Sequence, residues 1–148
     1  MSTPEQQLAQ QVTEHMYAGD MATQHFGMKI VRVAPGEAEI HMPVQPWMLN
    51  GHRTCHGGVI FTLADSTFAF ACNSRNQVTV ASAAQIDFVA PGREGDVLQA
   101  RAKESWRGGR AGVYDISVHR QDGTLVALFR GKSHQLAQTV LPGSDPQS

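Results

Sequence analysis

The sequence predicts an α+β fold in which one curved antiparallel sheet wraps around a single buried helix. Residues 59–72 form a long segment with apolar side chains on every side, which is typical of a helix enclosed by the rest of the domain. Strand-like segments precede and follow this helix, and no helices alternate with them as a parallel α/β sheet would require. The length of 148 residues fits one domain.

The first element is predicted to be a helix over residues 4–18. Thr3 is suited to the N-cap, Pro4 to the first helical position, and Gln6 completes the pattern of a capping box. Gly19 and the residue after it end the helix. Because the composition of this segment is mostly polar, we expect it to lie on the outside of the fold.

Two strands are predicted at residues 28–33 and 37–42, joined by a turn at Pro35 and Gly36. In the second strand, apolar residues alternate with charged or histidine residues, which is typical of a half-buried antiparallel strand. An irregular stretch over residues 43–55 then leads into Gly57-Gly58 and the apolar helical segment over residues 59–72.

Four further antiparallel strands are predicted after the helix, each bounded by a turn. They lie at residues 78–88, 96–106, 112–120 and 125–136, with breaks at Pro91-Gly92, Gly108-Gly109 and Asp122-Gly123. The single domain therefore spans residues 1–136, and residues 137–148 are expected to form a flexible tail.

The composition excludes several classes of protein. Hydrophobic residues make up 41% of the chain and charged residues 17%, so a compact core is expected rather than disorder. The net charge of -1 provides no basic field for binding nucleic acid or a membrane surface. The sequence has no apolar run of about 18 residues and no secretory signal pattern, so we expect a cytoplasmic protein.

Asp65 lies in the middle of the buried helix, where a carboxylate is costly unless it is paired or used in function. The sequence offers no lysine or arginine within one helical turn of it. Two interpretations stay open: Asp65 belongs to a narrow polar stripe with Thr62 and Ser66 that faces water, or it carries chemistry.

The start of this helix is a second candidate feature. The first N–H groups of a helix lack internal acceptors, and Gly57 and Gly58 would allow an anion or a polarised carbonyl to approach them, unless they only form a tight corner. Asn50 and His56 precede them and could position a carbonyl or a water. We expect no metal here, since His52, Cys55 and His56 lack a fourth ligand and any familiar zinc spacing.

The spacing of these two features predicts an oligomer. Gly57 and Asp65 are separated by eight residues, or about 12 Å along a helix, whereas a base must lie about 3 Å from its target. A second helix running antiparallel across a two-fold axis would place Asp65 of one subunit beside Gly57 of the other. We therefore expect at least a homodimer with shared sites.

These motifs resemble those of the hotdog-fold acyl-CoA thioesterases, and most closely the group that acts in bacterial phenylacetate degradation. The resemblance covers residues 26–136. It is carried by the stretch from Asn50 to His56-Gly57-Gly58, by the segment around Asp65, and by residues 86–92, 112–116 and 127–134.

The resemblance implies hydrolysis of an aryl, short-chain or medium-chain acyl-CoA to the free acid and coenzyme A, with phenylacetyl-CoA or hydroxyphenylacetyl-CoA as the expected substrate. By this likeness, the Gly57 amide polarises the carbonyl, Asn50 and His56 shape the site, and Asp65 of the neighbouring subunit is nucleophile or general base. The family often forms dimers of dimers, so a homotetramer is expected. No cofactor is needed, because coenzyme A is part of the substrate.

Further residues are expected to bind the substrate. Gly58 lies beside the carbonyl site, Ser82 carries a hydroxyl that could place water, and cations near the mouth would hold phosphates. The candidate walls of the acyl pocket are Phe68, Met48 and Phe61, and the candidate phosphate ligands are Arg93, Arg110 and Lys132.

Two other functions fit the same fold. A non-catalytic acyl-CoA sensor is disfavoured because the N-terminal segment is short and not basic, whereas such regulators usually carry a DNA-binding module. A dehydratase acting on 3-hydroxyacyl thioesters needs a histidine and an acid poised over the acyl chain. The H-G-G motif at the helix start, with Asp65 downstream, fits the thioesterase pattern better.

Overall fold

The computed structural model describes residues 2–143 and forms one six-stranded antiparallel sheet around a central helix. The helices are α1 (Pro4–Gly19), α2 (Met21–His25) and α3 (Gly57–Cys72), with a short 3-10 helix at Pro46–Met48. The strands are β1 (Lys29–Ala34), β2 (Glu37–Pro43), β3 (Gln77–Phe88), β4 (Val97–Gly108), β5 (Ala111–His119) and β6 (Leu125–Thr139). Their order in the sheet is β1-β2-β4-β5-β6-β3.

Helix α3 is enclosed by the sheet. Its buried face carries Ile60, Leu63, Ala64, Phe68 and Ala71, which pack against the inward side chains of the strands. Burying a large apolar side chain contributes about 1.5–3 kcal/mol to folding, so this helix organises the core. The predicted α+β fold, with a sheet wrapped around one buried helix, is confirmed.

Helix α1 lies against β1, as expected for a polar helix on the outside. Thr3 caps it by accepting a hydrogen bond from the Gln6 N–H at 3.1 Å. The predicted capping box is wrong in its second half, because the Gln6 side chain donates instead to the Val33 carbonyl at 2.6 Å. That contact ties the helix to the sheet.

One short helix and one strand end differ from the sequence-based expectation. The Asp20 side chain caps α2 by accepting from the Thr23 N–H at 3.0 Å, so this residue both ends α1 and begins a second helix. Strand β6 continues to Thr139, because Gln77 of β3 pairs with it in the ladder. Residues 137–139 therefore belong to the sheet, and residues 144–148 lie outside the described chain.

Strand β3 is an edge of the sheet. It pairs with β6 on one side only, and residues 80–85 are all exposed. An exposed strand edge presents unpaired N–H and C=O groups that can hydrogen-bond to another chain.

Within residues 2–143, no helix is long and apolar enough to cross a membrane.

Gly131 of β6 is required by the packing of α3. A Cβ at this position would lie 2.6 Å from a ring carbon of Phe68, which is itself 1% exposed. We expect Gly131→Ala to lower the free energy of unfolding by about 2–4 kcal/mol, since the ring can move only by disturbing the core. Urea denaturation measures this change, and an unchanged midpoint would show that the core accommodates the methyl group.

Candidate functional site

The first turn of α3 leaves one backbone donor free. The His56 carbonyl accepts hydrogen bonds from the N–H groups of Val59 and Ile60 at 2.9 and 3.1 Å. The Gly58 N–H donates to Nδ1 of the His56 ring at 2.9 Å, so His56 is the side-chain cap of the helix. The Gly57 N–H has no acceptor in the described part of the chain. Gly57, and not Gly58, therefore offers the donor that a carbonyl oxygen could use.

The His56 ring is held by this contact. Because Nδ1 accepts a hydrogen bond, the neutral ring carries its proton on Nε2, and the ring itself is exposed. Because the Gly58 N–H already donates to His56, this amide is not available to a substrate in the single chain, and the expected role of Gly58 in substrate binding stays a prediction.

Gly57 lines a surface pocket of about 330 Å³. Its other lining residues are mostly apolar: Thr54, Cys55, Ile60, Phe88, Val89, Ala90 and Pro91. The Phe88 ring lies directly over Gly57, because a Cβ there would be 3.1 Å from its Cζ atom. Glycine at this position therefore allows an aromatic wall and a free amide to share one pocket.

Asp65 is a half-buried carboxylate without a partner. Within residues 2–143 it makes no hydrogen bond or ion pair, and burial raises its pKa above 3.8. The other two members of the suggested polar stripe are occupied: the Thr62 hydroxyl donates to the Gly58 carbonyl at 2.8 Å, and the Ser66 hydroxyl lies 3.0 Å from that of Thr23 under α2. Asp65 therefore differs from Thr62 and Ser66, because its carboxylate has no hydrogen-bond or ion-pair partner in residues 2–143.

The Cys72 thiol lies on the same helix as Asp65. Burial raises the pKa of Cys72 to about 12, and the negative charge of Asp65 acts in the same direction. The thiol is therefore neutral at physiological pH and adds no charge beside Asp65.

The single chain does not bring Gly57 and Asp65 together. Both residues lie on α3, eight positions apart, which corresponds to a rise of about 12 Å. Within one chain, the Gly57 N–H and the Asp65 carboxylate therefore cannot both reach one carbonyl group.

Asn50 organises the loop before α3. Its Oδ1 accepts from the His52 N–H at 2.9 Å and from the Thr54 N–H and hydroxyl, each at 3.2 Å. The loop also holds Arg53 at a φ of 63° and is closed by a bridge between Leu49 and Cys55. Asn50 thus shapes the approach to Gly57 through the backbone.

The apolar residues expected from the sequence to line an acyl pocket lie elsewhere in the single chain. Phe68 and Met48 are each 1% exposed and belong to the core, where the Phe68 ring lies 5.6 Å from Tyr114. Phe61 packs on Phe129 at 5.2 Å. None of the three lines the Gly57 pocket of the single chain, and their role as walls of the acyl pocket stays a prediction. The aromatic wall of the Gly57 pocket is Phe88, which its position at the end of a predicted strand could have suggested.

The remaining candidate residues are dispersed in the chain. The Ser82 hydroxyl donates to the Lys132 carbonyl at 3.1 Å, beside the irregularity in β3. Arg93 follows Gly92, whose carbonyl accepts from the Cys55 N–H at 2.7 Å, so it lies near the pocket. Arg110 lies in the turn between β4 and β5, and the Lys132 side chain lies in a depression on the outer face of the sheet. One chain therefore does not gather the three cations into a single phosphate site.

Across residues 2–143, no group of three or more His, Cys, Asp or Glu side chains is placed to hold an ion. His52, Cys55 and His56 thus do not form a ligand cluster.

Comparison with known proteins identifies close relatives. Residues 52–127 match the sequence family described as the thioesterase superfamily. The acyl-coenzyme A thioesterase PaaI of Escherichia coli strain K12 is 47% identical over 125 residues, covering 84% of this chain and 89% of that protein.

Solved structures agree with this likeness. The E. coli PaaI protein from the phenylacetic acid degradation operon superposes with a TM-score of 0.89 at 46% identity, covering 90% of this chain and 97% of that one. A point mutant of the phenylacetic acid degradation protein PaaI from Thermus thermophilus gives 0.76 at 38% identity, covering 79% and 100%. A protein of Streptococcus mutans bound to acetyl CoA gives 0.72 at 25% identity, covering 74% and 88%.

Proposed function

Because the chain belongs to the thioesterase superfamily and is a thioester hydrolase, we propose that its substrates are acyl-CoA thioesters and that phenylacetyl-CoA or a hydroxylated form of it is preferred. The main support is the free Gly57 N–H inside a pocket whose wall is the Phe88 ring. A phenyl group can pack against such a wall while the thioester carbonyl accepts a hydrogen bond from the amide.

The working unit in this proposal is a homodimer formed along β3. The unpaired edge of this strand and its exposed residues 80–85 suit antiparallel pairing with a second copy. Strand β3 runs alongside α3, with Phe88 at the Gly57 end, so a two-fold axis across the edge also brings two antiparallel α3 helices together. In this arrangement Asp65 of one subunit lies beside Gly57 of the other.

The reaction then follows from the two groups. As a general base, the partner's Asp65 takes a proton from water, and the resulting hydroxide adds to the thioester carbon. The Gly57 N–H stabilises the oxyanion of the tetrahedral intermediate. The carbon–sulfur bond then breaks, and the protonated Asp65 returns its proton to the leaving thiolate, which gives the free acid and coenzyme A and restores the carboxylate. If Asp65 attacks directly, the carbon–sulfur bond breaks, coenzyme A leaves as the thiolate and an acyl anhydride forms. Water then cleaves the anhydride, and attack at the aspartyl carbon would place ¹⁸O from the water in Asp65 in a single turnover.

A thiol-release screen tests the substrate. Phenylacetyl-, hydroxyphenylacetyl-, short-, medium- and long-chain acyl-CoA thioesters are compared by kcat/KM. We expect the aryl substrates to rank first, since the Gly57 pocket of about 330 Å³ accommodates a ring better than a long chain. A preference for long acyl chains would contradict the proposed substrate, and absence of thiol release with every thioester would contradict the proposed function.

The pH dependence of activity follows from the raised pKa of Asp65. Both roles of this carboxylate require its ionised form, so kcat/KM should fall as the pH drops through that pKa and level off above it. The midpoint of the acidic limb is expected above 3.8, because burial disfavours the charged form. A profile without an acidic limb above that value would contradict this role.

Further assembly and localisation are part of the same proposal. The depression on the outer face of the sheet is lined in part by Val113 and Leu128, and a second dimer packed there would give a homotetramer. The two cysteines, Cys55 and Cys72, are free thiols, which fits a reducing cytoplasm. Light scattering of the purified protein measures the assembly, and a monomer would contradict it.

A further inference from the structure

A groove between α1 and β1 forms a cavity of about 570 Å³ outside the Gly57 pocket. A cavity of this size lies in the range that small ligands occupy. None of its lining residues takes part in the hydrolysis proposed above. They are Gln10, Thr13, Glu14 and Tyr17 of α1 and residues 29–33 of β1.

Two hydrogen bonds tie α1 to the strand at the ends of this groove. The Gln6 side chain donates to the Val33 carbonyl at 2.6 Å, and the Tyr17 hydroxyl donates to the Met28 carbonyl at 3.1 Å. Both the helix and the strand cover about 16 Å between these contacts, so they run side by side in opposite directions. Because α1 already engages both carbonyls, the groove suits a small molecule better than an added strand.

Thr13 supplies a buried hydroxyl without a partner. The residue is 5% exposed and lines the groove, and its Oγ1 has no hydrogen-bond partner in the described chain. The Thr62 and Thr67 hydroxyls, by contrast, each donate at 2.8 Å to the carbonyl four residues earlier in α3. Since buried hydroxyl groups are nearly always hydrogen-bonded, a polar atom of a ligand in the groove would complete the bonding of Thr13.

Unpaired charges of opposite sign lie on the two walls of the groove. Glu14 lies about 12 Å along α1 from the Gln6 contact, a distance that places it opposite Lys29 on the antiparallel strand. Neither Glu14 nor Lys29 has an ion-pair partner in the described chain, whereas Arg32 is engaged by Glu37 at 3.2 Å. The groove therefore offers one free carboxylate and one free ammonium group.

The strand side of the groove is largely aliphatic. Ile30, Val31 and Val33 line it, and Val31 is the residue that a bulge adds to β1, since it has no partner in the ladder with β2. Val31 is accordingly 53% exposed. Bulges at sheet edges change the direction of a side chain, and here the bulge presents apolar surface that a branched hydrocarbon group can cover.

We propose that this groove binds a free α-amino acid with a branched aliphatic side chain. The Lys29 ammonium and the Thr13 hydroxyl donate to the ligand carboxylate, and the Glu14 carboxylate accepts from the ligand ammonium. The ligand side chain packs against Ile30 and Val31. A zwitterion pairs both charges of the groove, whereas a simple acid or amine leaves one of them without a partner. The proposal is independent of the hydrolysis at Gly57.

Calorimetric titration with three ligands of the same aliphatic body tests the choice of ligand. L-leucine carries both charged groups, isocaproate lacks the ammonium, and isoamylamine lacks the carboxylate. We expect saturable binding of L-leucine, with a Kd at least about 10-fold lower than that of either analogue, because each analogue loses one charge-assisted hydrogen bond. None of the three has a ring that could pack against Phe88.

Two substitutions in the groove test its location. Thr13→Val keeps the shape of the side chain and removes the unpaired hydroxyl, so the melting temperature should stay the same or rise while the Kd for L-leucine rises several-fold. Glu14→Gln should raise this Kd by about 10-fold. Glu5→Gln is the matched control: it removes an exposed carboxylate from the same helix outside the groove and should leave the Kd within about twofold.

Three results would overturn the proposal: absence of saturable L-leucine binding, equal affinity for isocaproate or isoamylamine, or an affinity that neither Thr13→Val nor Glu14→Gln changes. An equal loss in Glu5→Gln would also contradict it, because the effect would not depend on the groove. Calorimetry needs no turnover, so a failure of thioester hydrolysis would contradict only the proposed function and leave this test intact.

Discussion

Replacing Asp65 with asparagine is expected to lower kcat for the best acyl-CoA substrate by about 10³-fold or more. Asparagine has nearly the same shape but can neither accept the proton of a water nor attack the thioester carbon. The KM should change little, since Asp65 makes no contact that would hold the substrate in its ground state. Initial rates of thiol release at saturating substrate measure the loss.

The stability of this variant provides its control. Burial raises the pKa of Asp65 in the folded chain, so its negative charge weakens folding at pH 7, where the carboxyl group of the unfolded chain ionises more easily. The asparagine variant should therefore melt at the same temperature as the wild type or higher. An inactive variant that is also destabilised would indicate a structural role, and retention of most of the activity would exclude Asp65 from the chemistry.

Replacing Gly57 with proline is expected to lower kcat by about 10²–10³-fold, the usual cost of losing one oxyanion donor. Proline suits the first position of a helix, and the preceding residue His56 has φ -58° and ψ 135°, which a following proline tolerates. The substitution thus removes the free N–H while leaving the helix start possible. Thiol release measures the loss of kcat, and circular dichroism shows whether the helix content is retained.

Gly57→Ala is the matched control for crowding. It adds the same Cβ 3.1 Å from the Phe88 ring but retains the N–H, so we expect a loss of kcat below about tenfold. If alanine and proline were equally damaging, crowding of the pocket would explain both losses and the amide would have no demonstrated role.

Much of the fold could be predicted from hydrophobic patterning. The run of apolar residues from Val59 to Cys72 has no polar side broad enough for a surface helix, and the later strands are separated by glycine-containing turns. Helix α2 could not be predicted in the same way, because Asp20 closes α1 and caps the next helix at once. The extension of β6 depends on pairing with Gln77, far away in the sequence.

The site was predictable in its residue types but not in its details. The sequence indicated that Asp65 and the helix start are unusual, and their spacing suggested a second subunit. It could not show that Nδ1 of His56 accepts a hydrogen bond from the Gly58 N–H, while the Gly57 N–H has no acceptor in the described chain. Nor could it distinguish Phe68, which faces the sheet, from Phe88, which covers the pocket, since both are aromatic residues in apolar segments.

The shared site is the central claim, and mixed dimers test it most directly. Asp65→Asn and Gly57→Pro chains, each expected to be nearly inactive alone, are mixed under conditions where mass spectrometry shows that subunits exchange. Random exchange makes half of the dimers hybrid, and each hybrid has one site with both Gly57 and Asp65 intact, so about a quarter of the wild-type activity should return. If fully exchanged mixtures stayed as inactive as the separate variants, the two groups would not act across subunits.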